Sequence, residues 1–96
     1  MQFIGFWEYC AEDTMKVIEK FRQVTAEREK GTTRFPKLVY GPYHFNGEHK
    51  GFVVFDTDDP DQLTNQASFY APEMEWKFVP LIDTRKRFDL WLKMKK

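Results

Sequence analysis

Along this chain the spacing of apolar residues alternates between period two and period 3.6. Residues 2–9, QFIGFWEY, alternate: Phe3, Gly5, Trp7 and Tyr9 point one way, and Ile4, Phe6 and Glu8 the other. Both sides are largely apolar. A helix is predicted from about Asp13 to Lys30, where Val17, Ile18, Phe21 and Val24 form one stripe. Glu12 and Asp13 suit its positive N-terminus, and Gly31 suits its stop. After the linker GTTRFP, a second strand covers 37–45 and a third covers 48–56. Asn46-Gly47 between them is a strong hairpin signal, because both residues tolerate positive φ. A two-residue loop there pairs Phe45 with Glu48 and His44 with His49. Asp59-Pro60-Asp61-Gln62 opens a second helix, with Asp59 as N-cap, Pro60 in the first turn and Gln62 placed to close a capping box. Leu63, Ala67 and Tyr70 share its inner face, and Pro72 stops it. Residues 74–82, MEWKFVPLI, alternate as a fourth strand, with Pro80 marking its end or an edge. Asp83 caps a last helix that carries Phe88, Trp91 and Leu92.

The element order is strand-helix-strand-strand-helix-strand plus a terminal helix. It predicts an α+β, ferredoxin-like βαββαβ domain with a four-stranded antiparallel sheet. The first and third strands are then central, and both are apolar on two sides. Helices cover one face only, and the terminal helix is too short to cover the other alone. A second copy of the sheet is the simplest cover, so a homodimer is expected.

Composition sharpens this picture. The chain has 96 residues, expected to form one domain, and 18% of them are aromatic, more ring area than a small monomer easily hides. Fifteen basic residues balance fifteen acidic ones, so no global charge draws the chain to nucleic acid or an anionic membrane. The single cysteine, Cys10, excludes an internal disulfide and fits a cytoplasmic setting. No apolar run approaches the ~20 residues of a membrane span, and the first residues lack the features of a signal peptide.

MQFIGFWEYCAEDTMKVIEKF, GPYH, GFVVFDTDDPDQL and WKFVPLID together resemble a small uncharacterised family within the dimeric α+β barrel superfamily. Trp7, Gly41, Tyr43, His44, Gly51, Phe52, Asp58 and Pro80 occupy the positions of that pattern, which spans nearly the whole chain. The resemblance implies a homodimer whose two sheets close a barrel around a cavity. Superfamily members include cofactor-independent monooxygenases, haem-degrading enzymes, isomerases and non-catalytic ligand binders. Haem-degrading members use a histidine on a helix, and the second helix here, Asp59–Ala71, contains none.

The candidate chemistry is sparse. His44 and His49, paired across a hairpin, can share a metal ion, but a catalytic site needs about three protein ligands. There is no third histidine and Asp56 has the wrong parity, so no metal and no cofactor is expected. His44 is the foremost candidate for binding or acid/base work, because it interrupts an apolar strand and an imidazole titrates near neutrality. The structural alternative is a half-buried histidine bonded to a backbone carbonyl. Glu8, set among Ile4 and Phe6, is a candidate base if its apolar surroundings raise its pKa, and otherwise a solvated carboxylate. Trp7, Tyr40, Tyr43 and Trp76 are candidate walls for a flat ligand, or simply core. KGFVVF opens like an RNA-binding signature but lacks its later aromatics and runs into Asp56, Asp58, Asp59 and Asp61. The last helix gathers Arg85, Lys86, Arg87, Lys93, Lys95 and Lys96, which read as a solvated face rather than a membrane surface. The function expected from the sequence is binding of a small, partly apolar molecule, with or without turnover. The alternative is a non-catalytic dimeric interaction module, and RNA binding by the sheet ranks third.

Overall fold

The structure is a computed structural model and describes residues 1–95; Lys96 of the basic cluster lies outside them. Its elements are β1 (Gln2–Tyr9), a 3-10 turn (Ala11–Asp13), α1 (Thr14–Glu29), β2 (Lys37–His44), β3 (Lys50–Asp56), α2 (Pro60–Tyr70), β4 (Met74–Pro80) and α3 (Thr84–Met94). The four strands form one antiparallel sheet in the order β2-β3-β1-β4. This is the ferredoxin-like α+β arrangement with an added C-terminal helix, and β1 and β3 are central as their two-sided apolar pattern requires. Pro80 ends β4, which is an edge strand.

Cross-strand register assigns each residue to a face. Gly5 faces Val53 and Phe78, Trp7 faces Gly51 and Trp76, and Phe3 faces Phe55. This face packs towards the helices, and Trp7, Val53, Phe55 and Met74 belong to its buried core. The other face shows Ile4, Phe6, Phe52, Val54 and Val79, all opposite one another in register. Tyr40 and Tyr43 of β2 extend it and remain half exposed, at 55% and 51%.

Local chemistry fixes the helix ends. Thr32 N donates to Glu27 O at 3.1 Å and Gly31 N to Arg28 O at 3.0 Å, a Schellman stop for α1. The Asp59 carboxylate accepts from Asp61 N at 3.0 Å, and Asp83 accepts from Arg85 N at 2.8 Å. The capping box expected at Gln62 does not form. Gln62 instead accepts from the Thr57 hydroxyl at 2.5 Å and donates to Thr33 O at 2.8 Å, tying α2 to the linker before β2.

The hairpin is longer than its sequence predicts. Glu48 N donates to Phe45 O at 3.0 Å, so Asn46 and Gly47 are the central residues of a four-residue turn. Gly47 has φ +79° and no non-glycine residue among those described has positive φ, which matches a type II turn rather than the type I′ form of a two-residue loop. Phe45 then pairs with Lys50, and His44 with Gly51 rather than His49. The expected His44–His49 pair is therefore absent. The slip is two residues, an even number, so His44 keeps its face; register shifts in β2 between Leu38 and Tyr40 and between Tyr40 and Tyr43 carry Tyr40 to the opposite one.

Gly51 is the most closely approached of the glycines in the sheet. A Cβ built there would sit 2.1 Å from Tyr43 O and 2.5 Å from Trp7 Cζ2. Its missing side chain lets the Trp7 indole lie across β3. Beyond the sheet, every residue of α3 is exposed, including Phe88, Trp91 and Leu92.

These contacts order two substitutions. Gly51→Ala must displace a backbone carbonyl and a buried ring, and should lower stability by about 2–3 kcal/mol, as overpacking does. Gly47→Ala has open space around it but a strained φ, and should cost about 1 kcal/mol. Urea denaturation of both variants checks the order; equal losses would contradict it.

Candidate functional site

α1 crosses the helix-side face of the sheet, and its fully buried side chains are short. Val17 and Val24 are buried, whereas Phe21 is 44% exposed. The bulky rings on this face, Trp7, Phe55 and Trp76, belong to the strands. Between them lies a cavity of about 400 Å³, walled by the strands on one side and by α1 and the inner face of α2 on the other. Its surface is mainly apolar, from Val17, Ile18, Val53, Phe55, Met74 and Trp76. Pockets of this size and polarity are typical small-molecule sites.

Polar groups enter the wall at two ends. At the hairpin end stands His44, placed there because its backbone pairs with Gly51. Its Nε2 is 2.8 Å from the Tyr9 hydroxyl, and its ring meets the Trp7 indole edge-on at 4.5 Å between centroids. His49 is the other neighbour of Tyr9: its carbonyl accepts from Tyr9 N at 3.0 Å, and the rings lie 5.4 Å apart. Two imidazoles thus flank one phenol, although they are not a cross-strand pair.

At the far end, Arg28 reaches in from the last turn of α1. Its Nη2 donates to Gln66 Oε1 at 2.9 Å, and its Nε donates to Pro36 O at 3.3 Å. The guanidinium lies 5.3 Å from the Phe55 ring centre and 5.9 Å from that of Phe35. Burial lowers its pKa from the ordinary arginine value, opposed by its attraction to the Tyr70 phenol. The same burial pushes Tyr70 up to about 12, against the pull of Arg28. Gln66 is 2% exposed.

The residues singled out in the sequence separate by face. His44, Trp7 and Trp76 wall the cavity together. Glu8 does not join them. It lies on the opposite face, across from Lys50 and Glu75, in a shallow depression with Phe6, Phe45 and Lys77. Tyr40 and Tyr43 are also on that face, packed against Phe52 at 6.1 and 6.2 Å. The Glu8 side chain leaves β1 on the side opposite Trp7, against which the His44 ring packs, so Glu8 and His44 are separated by the sheet. Among the described residues, no three His, Cys, Asp or Glu side chains cluster for a metal, and no helix is long and apolar enough to cross a membrane.

Arg28 and Gln66 are the site residues that the sequence pattern hides, because charge and amide groups read as solvent-facing. Their spacing is nevertheless informative. Val17, Phe21, Val24 and Arg28 continue one helical stripe, and Gln66 sits between Leu63 and Tyr70 on the inner face of α2. A polar residue at a core position of a stripe is the available signal.

The chain matches the family described as a domain of unknown function, DUF3303, over residues 1–94, and it belongs to that family. No curated protein and no solved structure matches it.

The burial of Tyr70 has a measurable consequence. The folded phenol holds its proton above the ordinary value of 10.0, up to about 12. Its contribution to stability is complete below pH 10 and is lost as pH rises towards 12. In an ultraviolet difference titration against Tyr70→Phe, the missing absorbance step should be centred near 12. A missing step at the ordinary value would show the phenol open to water.

Proposed function

We propose that the protein is a homodimeric α+β barrel that binds a small, partly apolar molecule between the sheet and α1 of each protomer. The observation that carries the reading is the apolar cavity of about 400 Å³ with an imidazole in one wall and a guanidinium in the other. His44 is the residue we assign to ligand contact at the hairpin end, as hydrogen-bond partner or proton carrier. Trp7 and Trp76 supply flat walls. The barrel cavity implied by resemblance lies between sheets, whereas the cavity favoured here lies on the other side of the sheet, within each protomer.

The open face supports the dimer. Phe6, Tyr40, Tyr43 and Phe45 are each 38% or more exposed, beside Ile4, Phe52, Val54 and Val79. A contiguous apolar face of this kind marks an association surface. A second copy of the same sheet is its natural cover, because the face is apolar and nearly neutral, with Glu8 and Glu75 offset by Lys50 and Lys77. The exposed α3, with Phe88, Trp91 and Leu92 on one side, favours a second reading in which the dimer is an interaction module and the helix its contact element.

Two experiments test these assignments. Sedimentation equilibrium at micromolar concentration should give twice 11.6 kDa, since such an interface is expected to bury more than ~1,200 Å² in total. Phe52→Lys should shift the protein to monomer; a wild-type monomer would remove the barrel. For the cavity, calorimetric titration with 2-naphthol should detect binding. Thr25→Trp, which fills the space from the α1 side, should abolish it. His44→Gln should weaken it about five-fold, the worth of one hydrogen bond of about 1 kcal/mol. Unchanged binding in Thr25→Trp would favour the interaction-module reading.

A further inference from the structure

We propose that the cavity's ligand is an apolar monocarboxylate whose acid group is held by Arg28, with Gln66 orienting the guanidinium. The inference rests on the cavity reading above and adds the chemical class of the occupant.

Arg28 is a half-buried cation whose hydrogen-bond partners are all neutral groups. Its acceptors are the Gln66 amide oxygen and the Pro36 carbonyl, and none of the ion pairs among the described residues includes it. Removing a charge from water without a counter-charge is costly. Leucine or methionine would extend the Val17–Phe21–Val24 stripe without that cost. The remaining lysines and arginines with structural partners follow the ordinary rule: Lys20 meets Glu73, and Arg34 meets Glu27. Arg28 is the exception, and it is the one that walls the cavity.

The surroundings define what charge would suit it. The two hydrogen bonds use two of the five guanidinium donors. The aromatic rings of Phe55 and Phe35 fix its position. A planar, singly charged carboxylate fits a guanidinium edge by two parallel hydrogen bonds, strengthened by the apolar walls. A phosphate dianion would call for further cations, and no lysine or second arginine contributes to the wall. His44 and Arg28 stand at opposite ends of the space. Gly51, the backbone partner of His44, and Phe55, beneath Arg28, are separated by four residues of β3, about 13 Å at roughly 3.3 Å per residue. The ligand is therefore elongated, with its acid at Arg28, its apolar body against Val53 and Trp76, and its far end at His44.

Calorimetric titration with 2-naphthoate and its neutral isostere 2-naphthamide tests this. The wild type should prefer the carboxylate by about ten-fold or more. Arg28→Met should lose that preference and still bind the amide. Because this variant also removes two structural hydrogen bonds, Gln66→Glu provides an independent arm. It gives Arg28 a carboxylate of its own where the 2.9 Å acceptor now lies, so it should abolish the preference while raising the melting temperature. Equal binding of the two probes by the wild type would overturn the inference and leave the cavity reading intact. So would a preference that survives in both variants. Binding of neither probe would overturn the cavity reading together with the inference.

Discussion

The Trp7 indole lies across Gly51, and the geometry of the site descends from that contact. A Cβ at residue 51 would meet Trp7 Cζ2 at 2.5 Å, so only glycine admits the ring. The indole then occupies the helix-side face over two strands, beside Trp76, its register partner on β4. Gly51 also pairs with His44, which brings the imidazole to 4.5 Å from the same ring. One missing side chain thus sets the wall of the cavity and the position of its histidine. Between Phe21 and Arg28, α1 approaches this surface with valine and threonine. Large rings on the strands opposite short side chains on the helix leave open space rather than an interdigitated layer.

Much of the fold was legible because its signals are local. Period-two runs, Gly31, Asp59-Pro60 and Asp83 define the elements, and the two-sided apolar pattern of Phe3–Trp7 and Gly51–Phe55 identifies the central strands. The hairpin is longer than Asn46-Gly47 alone implies. Asn46-Gly47 suits several turns, and what decides between them is the pairing of the flanking strands, which local propensity does not contain. The difference is harmless to the site, since a shift of two residues leaves His44 on its face.

The site was less legible for a related reason. Both faces of β1 are apolar, so parity alone cannot say which one meets the helices. His44 is the foremost candidate in the sequence and Glu8 the second, and the sheet separates them. Trp7 and Trp76 reach the cavity, while Tyr40 and Tyr43 lie with Glu8 on the open face. Arg28 and Gln66 were hidden by their chemistry. Each occupies a core position of a helical stripe, and it is the surroundings, not the residue type, that make Arg28 a half-buried charge without an ion partner among the described residues.

The two faces of the sheet divide the proposed labour. In that proposal the open face, with Phe6, Phe52 and Val54, serves association and the covered face ligand binding. Intermolecular nuclear Overhauser effects distinguish these directly, because each face has its own methyl groups. With bound 2-naphthoate, contacts from the ring protons should appear to the methyls of Val17, Ile18 and Val53. Contacts to Ile4, Val54 and Val79 instead would place the ligand on the open face and contradict the account.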